Sequence, residues 1–269
     1  MSVITISRGS FSGGKMLAES LAGQLGYRCI DRDIIVERAA AGGVSQDDLM
    51  EAFLKPPRFW DRFRHEKYIY LTLIQAALTE EVRTGKVVYH GNAGQLLLRG
   101  APHVLRVRII APLKLRLGMV QDRLKLNRSE ALAYIEKVDE ERRKWTSYLY
   151  GVDWEDPHLY DVVLNLEQMQ MQEACEVVAT IARQKSFEFT PECVSAMADL
   201  ALSSHVRANL ALNAATSDLE VEIVARQGTV SIKGKVVDLD QMAEVERVAH
   251  GTAGVIDLKL DNLGPMPLV

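Results

Sequence analysis

The sequence predicts an α/β domain followed by a smaller α+β domain. Short β-branched runs alternate with amphipathic helical segments up to about residue 185, a glycine-rich loop joins the first strand to the first helix, and period-two alternation begins after residue 190. Strands separated by helices indicate a parallel sheet with helices on both faces. We therefore expect a three-layer αβα domain over residues 1–187 and a second domain over residues 188–269.

The first domain is predicted to begin with a buried strand over Val3–Ser7 and a helix over Gly14–Leu25, which Gly26 ends. Further strands are predicted at Tyr27–Asp31, Lys86–His90, Val104–Ala111 and Asp161–Leu166. Further helices are predicted at Asp33–Ala41, Phe59–Thr84, Pro112–Leu126, from Asn127 or Ser129 to about Tyr150, and at Met169–Lys185.

The second domain follows a junction at residues 186–190. Two alternating runs around a short glycine-containing turn indicate a β-hairpin, which lies between two helical segments and precedes a third strand. The predicted elements are a helix at Pro191–Ala214, strands at Leu219–Val224 and Val230–Gly234, a helix at Asp238–His250 and a strand at Val255–Leu260.

The segment Gly9–Lys15 has the pattern G-x-x-x-x-G-K, which is typical of a loop that binds phosphate. Its glycines, Gly13 and Gly14 among them, let backbone N–H groups point at phosphate oxygens, and the following helix N-terminus favours an anion. Lys15 would add a full positive charge. Met16 stands where Ser or Thr normally helps to hold Mg2+, so the metal is held differently or the loop is degenerate. The alternatives are a glycine-rich turn that binds nothing and, more weakly, a dinucleotide fold.

Composition excludes several classes of protein. The chain has 269 residues, of which 48% are hydrophobic and 25% charged, as in ordinary globular proteins rather than disordered or fibrous ones. A net charge of −4 without a dense basic block argues against general nucleic-acid binding. No apolar run approaches the roughly 20 residues that span a bilayer, and no signal peptide is recognisable. Three widely separated cysteines suit a reducing cytoplasm, which is the expected location.

Two aspartates follow the second predicted strand, where ligands bind in open parallel sheets. Asp31 is expected to orient an acceptor or to hold Mg2+. The second role gains weight because Met16 cannot bind the metal. Asp33 is expected to cap the next helix, because Asp is favoured at that position before an apolar run.

The arginines after the fourth predicted strand suit phosphoryl transfer, in which cations stabilise charge on the transferred group. Arg116 and Arg123 share one helix face, and Arg142 lies on the charged helix beyond. A mobile helix pair carrying them would also exclude water. The alternative is a solvated helix with i,i+4 ion pairs, Asp139 with Arg143 and Glu140 with Lys144.

Residues 3–183 resemble the cytidylate-kinase-like family of P-loop nucleoside monophosphate kinase folds. The resemblance rests on the order of several segments: Ile4-Thr5-Ile6-Ser7-Arg8, Ser12-Gly13-Gly14, Asp31-Arg32-Asp33-Ile34-Ile35, Ala111-Pro112-Leu113 with Arg116, Asp139 to Arg142, Gly151 to Pro157 and Tyr160 to Asn165.

This resemblance implies ATP-dependent phosphorylation of a nucleoside monophosphate, nominally CMP or dCMP, or of another small acceptor, with Mg2+. It implies that Gly9 and Ser12–Lys15 hold the donor phosphates and that Asp31 faces the acceptor. It further implies that Arg116 and Arg142 clamp phosphates and that Asn165 lies near the donor base.

Residues from about 195 to 263 resemble a BON domain, through Val221–Val224, Gly228–Gly234 and Gly254–Asp257. This resemblance suggests a regulatory, ligand-sensing or homo-oligomerising module with an unknown ligand. An alternative function therefore stays open: an inactive nucleotide sensor whose BON-like domain reads out occupancy, favoured by Met16 and by His90-Gly91-Asn92 in place of a Gly-Arg-Gly segment. A structural protein with a vestigial loop is the third possibility.

Overall fold

The computed structural model describes residues 2–54, 64–101 and 103–265. These residues divide into two units. The described parts of the first unit are 2–35, 50–54, 84–101 and 103–189, and those of the second are 36–49, 64–83 and 190–265. The domain limits 1–187 and 188–269 stay a prediction.

Five parallel strands form the sheet of the first unit, as the alternating pattern predicted. The strands are β1 (Val3–Arg8), β2 (Arg28–Asp31), β3 (Val87–His90), β4 (Val104–Ile110) and β5 (Val162–Asn165). Their order across the sheet is β2-β3-β1-β4-β5, and every neighbouring pair is parallel. The carboxyl ends of all five strands therefore lie at one edge.

Ten helices stand among the described residues. They are α1 (Gly14–Leu25), α2 (Arg32–Ala40), α3 (Gln46–Leu54), α4 (Arg64–Val82), α5 (Gly94–Leu97), α6 (Leu113–Leu124), α7 (Arg128–Tyr150), α8 (Met171–Ala182), α9 (Pro191–Leu212) and α10 (Leu239–His250). In the first unit, α1 and α8 cover one face of the sheet, where Ile4 and Ile6 pack with Leu17 and Val178 in a buried core. The period-two alternation sends Thr5 to the opposite face, beside Gly94 of α5.

Several predicted boundaries are wrong by a few residues, and two helices, α3 and α5, are missed. No element was predicted between residues 43 and 59, and the structure has the nine-residue helix α3 there. The helix predicted over Pro112–Leu126 ends at Leu124 because Lys125 adopts a left-handed conformation, φ 57°. The helix predicted at Met169–Lys185 is the shorter α8, which Gln170 and Glu173 begin as a capping box. Of the helix predicted at Phe59–Thr84, residues 59–63 lie outside the described residues.

The second unit contains the predicted hairpin. Its strands are β6 (Val221–Arg226), β7 (Thr229–Val236) and β8 (Asp257–Pro265), in the order β6-β7-β8, with β6 antiparallel and β8 parallel to β7. Gln227 and Gly228 turn the hairpin with positive φ at both residues, as a tight two-residue turn requires. Side chains of α9, α10 and the three strands share one core. Whether this unit is a BON domain stays a prediction.

Within the described ranges, no helix is both long enough and apolar enough to cross a bilayer.

The capping box that begins α7 gives a direct test of local stability in the first unit. The Asn127 side chain accepts a hydrogen bond from the Glu130 amide at 3.0 Å, and the Glu130 carboxylate accepts one from the Asn127 amide at 2.8 Å. Replacing Asn127→Ala leaves an orphan amide and should lower the free energy of unfolding by about 1 kcal/mol in urea denaturation. Asn127→Asp should retain most of the stability. Equal losses in both variants would contradict the capping role.

Candidate functional site

Polar side chains gather at the carboxyl edge of the five-stranded sheet. Arg8, Asp31, His90 and Asn165 are the last residues of β1, β2, β3 and β5. Asp31 is the register partner of His90 across β2 and β3. This edge is where ligands bind in open α/β sheets, so the sheet alone places the site.

The loop from Gly9 to Gly13 forms a tight turn at the start of α1. Gly13 adopts a left-handed conformation, with φ 85°, that L side chains rarely adopt, and it serves as the N-cap of the helix. Ser12 is buried and its hydroxyl donates to the Gly9 carbonyl at 2.8 Å, which holds the turn closed. Among the described residues, the amides of Gly13, Gly14, Lys15 and Met16 have no acceptor. Such amides at a helix N-terminus suit a phosphate group.

Gly14 is required for a second reason, which is the path of the Arg8 side chain. A Cβ at Gly14 would lie 2.5 Å from Arg8 Cδ, closer than real contacts allow. The Arg8 side chain thus packs across the N-terminus of α1, and its guanidinium lies 3.2 Å from His90 Nδ1. The glycine of the motif makes room for an arginine as well as for a ligand.

The α6–α7 pair is tied to the loop through one carboxylate. Asp139 of α7 accepts hydrogen bonds from both the amide of Ser10, at 3.1 Å, and its hydroxyl, at 2.8 Å. Arg116 of α6 donates to Asp139 and, at 2.7 Å, to the Ser10 carbonyl. Arg116, which the sequence predicted as a phosphate clamp, thus contacts the loop both directly and through Asp139.

These hydrogen-bond donors stabilise the ionised form of Asp139. Burial disfavours its ionised form, but the hydrogen bonds from Arg116 and Ser10 outweigh that effect and the pKa of Asp139 is lowered. The carboxylate is therefore ionised at neutral pH, and its bonds to the loop are charge-assisted.

Arg142 also reaches the loop, from the next turn of α7. It donates to the Arg8 carbonyl, and its side chain is only 17% exposed. Its guanidinium lies 4.9 Å from the centre of the Trp154 ring, and that of Arg108 lies 4.1 Å from the same centre. Burial lowers the pKa of Arg142 to about 10, so it stays charged at neutral pH.

Lys15 and Asn165 lie at the site's margin. The Lys15 ammonium is half-exposed and lies 3.7 Å from the Glu19 carboxylate, one turn along α1. Asn165 accepts from the Glu167 amide at 3.1 Å and lines a shallow groove along α8. The segment after Asn165 returns to the loop, since a Cβ at Gly13 would lie 2.8 Å from Met171 Cε.

The predicted roles of the two aspartates are partly wrong. The side chain that caps α2 is Asp31, whose Oδ1 accepts from the amides of Asp33 at 3.1 Å and Ile34 at 3.2 Å. Asp33 instead lies in the first turn of α2, beside Arg32. The cap falls two residues earlier than predicted because the helix begins directly after β2. Asp31 Oδ2 has no partner among the described residues and is available to a ligand.

Of the two ion pairs named in the alternative interpretation of α7, only one forms. Glu140 and Lys144 do pair, at 3.4 Å. Asp139 does not pair with Arg143, because Arg116 and Ser10 occupy its oxygens. Arg143 donates to Glu140 and, at 3.2 Å, to Glu155. Spacing within one helix cannot reveal a competitor that a different helix supplies.

A model of the cytidylate kinase-like family matches residues 3–168, which include the loop, the α6–α7 pair and the five strands. The chain belongs to this family. The match covers most of the unit that carries the site, short of α8, and leaves most of the second unit unmatched.

Two relatives are similar over much of this length. The chain is 29% identical over 182 residues to the cytidylate kinase of Ignicoccus hospitalis, covering 66% of this chain and 97% of that one. It is 26% identical over 164 residues to the cytidylate kinase of Pyrococcus horikoshii, covering 61% and 79%. An uncharacterized protein from Eubacterium ventriosum matches by structure with a TM-score of 0.54 at 14% identity, covering 69% of this chain and 100% of that chain. That likeness shows the fold alone.

Four residues of the candidate site were given no role there by the sequence analysis. They are Arg8, Ser10, His90 and Asp139. Two signals pointed toward them: Arg8 and His90 end parallel strands, and Asp139 lies one turn from Arg142. Neither signal identifies a partner, since the partner lies across the fold.

The tie between α7 and the loop should be measurable as pH-dependent stability. Asp139→Asn keeps the volume but removes the charge, and we expect the free energy of unfolding at pH 7 to fall by about 2 kcal/mol, as for hydrogen bonds to charged groups. Because folding lowers the pKa of Asp139, its contribution is present above the ordinary value near 3.9 and is lost as pH falls through the folded pKa. The difference in the free energy of unfolding between wild type and variant should therefore persist from pH 7 down to about pH 4 and shrink as the pH falls further.

Glu136→Gln is the control for this experiment, because Glu136 is exposed on the same helix. A loss at pH 7 no larger in Asp139→Asn than in this control would show that the carboxylate does not hold the loop.

Proposed function

We propose that this chain is a kinase that transfers the γ-phosphoryl group of ATP to a small acceptor, nominally a cytidine or deoxycytidine monophosphate. The observation that carries the proposal is the glycine-bounded loop, whose amides lack acceptors and around which Arg8, Arg116 and Arg142 converge. Phosphoryl transfer needs positioning and positive charge more than covalent chemistry. Membership in the cytidylate kinase-like family supports the same reaction.

Each predicted site residue has a role in this proposal. The amides of Ser12–Lys15, together with Gly9, hold the donor phosphates, and Asn165 lies toward the donor base. Asp31 faces the acceptor oxygen that attacks the γ-phosphorus, while the bond to the β-phosphate oxygen breaks and ADP leaves. Arg116 and Arg142 stabilise the negative charge that spreads over the transferred group.

Mg2+ fits the proposal through Asp31. The described residues contain no cluster of three or more His, Cys, Asp or Glu that could hold a metal. Mg2+ with a nucleotide typically needs only one or two carboxylates, the rest being phosphate and water oxygens, and Asp31 has one oxygen without a partner among the described residues. The metal would neutralise phosphate charge.

Lys15 is proposed to turn from Glu19 to the donor phosphates when these bind. An exposed ion pair of this kind contributes at most about 1 kcal/mol, so breaking it costs little. A phosphate in the loop would offer the ammonium a more strongly charged partner.

The test is a turnover screen with the full chain, ATP and Mg2+ against CMP, dCMP, other nucleoside monophosphates and small hydroxylic acceptors. We expect ADP release with at least one monophosphate, and turnover lower by on the order of 10²-fold in Lys15→Ala, the cost of removing one stabilising donor. Lys185→Ala, remote in sequence from the loop, is the control. Normal turnover in Lys15→Ala would remove that residue from the mechanism.

The inactive nucleotide sensor is the less favoured alternative, since the family match supports a kinase. Tight ATP binding in calorimetry, with no acceptor binding and no ADP release with any acceptor, would favour the sensor instead.

The second unit is proposed as a BON-like module that joins copies of the chain. Its separate core of α9, α10 and three strands supports an independent role. Light scattering on the full chain should give a mass above the 30.0 kDa of one copy. A single-copy mass over micromolar concentrations would contradict the oligomerising role.

A further inference from the structure

Phe11 lies in the glycine-bounded loop with a backbone conformation that an L residue rarely adopts. Its φ is 57°, in the left-handed region that glycine enters freely and that is costly for a residue with a Cβ. Residues persist in such conformations where the surrounding structure fixes them, and they cluster at functional sites. The contacts of the Phe11 side chain therefore show what holds this part of the loop.

The Phe11 ring packs against a small apolar core that belongs to the helix pair α6–α7. The buried members of this core are Leu117 and Val120 of α6 and Ala131 and Ile135 of α7, each at most 5% exposed. The core is separate from the larger one that α1 and α8 form with the sheet. Because Phe11 comes from the loop, its ring joins the loop to both helices at once.

An aromatic pair adds to this packing. The Phe11 ring meets the Tyr134 ring of α7 edge to face, with 5.9 Å between the ring centroids. Such pairs stabilise a contact beyond the apolar area that they bury. The packing of the ring thus offsets the strain of the Phe11 backbone, and this explains how a residue other than glycine is tolerated there.

The two residues before Phe11 hold the same helices through polar groups. The Ser10 amide and hydroxyl donate to Asp139, and the Ser10 carbonyl accepts from Arg116. A Cβ at Gly9 would lie 3.5 Å from Arg116 Cζ, so the guanidinium lies against the loop backbone. Three consecutive loop residues therefore contact the helix pair, and Phe11 is the one that does so through an apolar side chain.

The polar and apolar contacts differ in how they respond to a phosphate group. A phosphate can compete for the Ser10 amide and for Arg116, because it accepts the same hydrogen bonds as Asp139. It offers nothing to an aromatic ring in an apolar core. The contact of Phe11 therefore persists while the arginines exchange partners, and it keeps α6 and α7 beside the loop during that exchange.

We infer that Phe11 is a positioning residue, whose ring holds the α6–α7 pair against the loop so that Arg116 and Arg142 stay within reach of the transferred phosphoryl group. The pair then stays in place through the reaction and does not open as a lid. The roles of the two arginines in this inference rest on the proposed function. Phe11 itself acts through the helices and not on the reacting atoms.

Hydrogen exchange on the full chain tests the mechanical part of the inference without any ligand. Phe11→Ala removes the ring and should raise exchange rates in α6 and in the N-terminal half of α7 about 10- to 100-fold, because the small core loses its packing. Rates in α1, which packs in the separate core, should change by less than about threefold. Phe11→Leu keeps an apolar side chain and should stay within about fivefold of wild type.

Phe187→Ala is the matched control for this experiment. Phe187 is a half-buried phenylalanine of the same unit, but it packs against the core that α1 and α8 form with the sheet. Its loss should speed exchange in α8 and leave α6 unchanged. Equal exchange rates for α6 in wild type and in Phe11→Ala would overturn the inference, and so would a rise of the same size in α1.

Kinetics test the functional part, with Phe11→Gly as the variant that separates the ring from the backbone. Glycine adopts the left-handed conformation freely, so the loop keeps its amides in place while the ring is lost. At saturating ATP, kcat should fall by on the order of 10-fold or more because the arginines are held less firmly, and the dissociation constant of ATP should change by less than about threefold. Phe11→Leu should retain most of the turnover.

Two kinetic results would overturn the inference. An unchanged or raised kcat in Phe11→Gly would show that the helix pair works as an opening lid. A large loss of ATP affinity at unchanged kcat would show that Phe11 shapes the loop and does not position the helices.

The inference and the proposed function can fail independently. If the wild-type chain phosphorylates no acceptor, the proposed function is wrong, and the exchange rates alone decide whether Phe11 holds the helix pair. If an acceptor is phosphorylated but Phe11→Ala exchanges like wild type, the kinase stands and the inference is wrong. Melting curves for each variant show whether a change comes from global unfolding.

Discussion

The hydrogen bonds from Ser10 and Arg116 to Asp139 are the interaction on which the rest of the site depends. They join a loop whose backbone is set by glycine to a helix pair whose surface is charged. Without an internal anion at this point, Arg116 would lie beside the amide-rich loop with no negative charge to offset it. The carboxylate satisfies donors that would otherwise require a ligand, and so lets the site keep its arrangement.

The balance of charge around the loop explains why the arginines differ. Arg116 and Arg108 pair closely with carboxylates. Arg142 lies 4.0 Å from the Asp139 carboxylate and is buried against a ring and a carbonyl, and Arg8 lies against a neutral imidazole. Stacking on Trp154 offsets part of the desolvation cost of Arg142. Among the described residues, the cation of this group without a carboxylate partner is Arg8, and it lies toward β3, beside His90.

Much of the fold could be predicted from the sequence because its signals are local. Buried strands such as β1 are β-branched runs, and the glycines that begin and end α1 adopt positive φ as expected. The helix α3 was missed because it is only nine residues long and the pair Pro56-Pro57, which indicates a loop, follows it closely. Asp33 was predicted to cap α2, but Asp31 caps it, because the helix begins directly after β2 without an intervening loop.

The site was harder to predict because its contacts join residues far apart in the chain. Arg116 and Arg142 were placed at the loop on the chemistry of phosphate binding, and the structure brings both to its backbone. Their partners could not be read from spacing. Asp139 has a possible partner in Arg143 one turn away, yet it pairs with Arg116, 23 positions earlier in the chain. The Arg143 side chain is half-exposed, so water can still solvate it when Asp139 is not its partner. The Arg116 side chain is largely buried, and leaving it without a counter-ion would cost more free energy, so Asp139 pairs with Arg116.

The same carboxylate constrains how a nucleotide enters, if phosphates bind the loop as proposed. A phosphate offers the Ser10 amide and Arg116 the kind of acceptor that Asp139 already provides. It must therefore displace Asp139 or share its donors, and the free energy of that exchange is subtracted from nucleotide affinity. A bound phosphate carries more charge than a carboxylate, so the exchange is favourable where further cations are near, as Arg8 and Arg142 are. Closure over the nucleotide then consists largely of moving arginines from an internal anion to the substrate, within helices that are already in place.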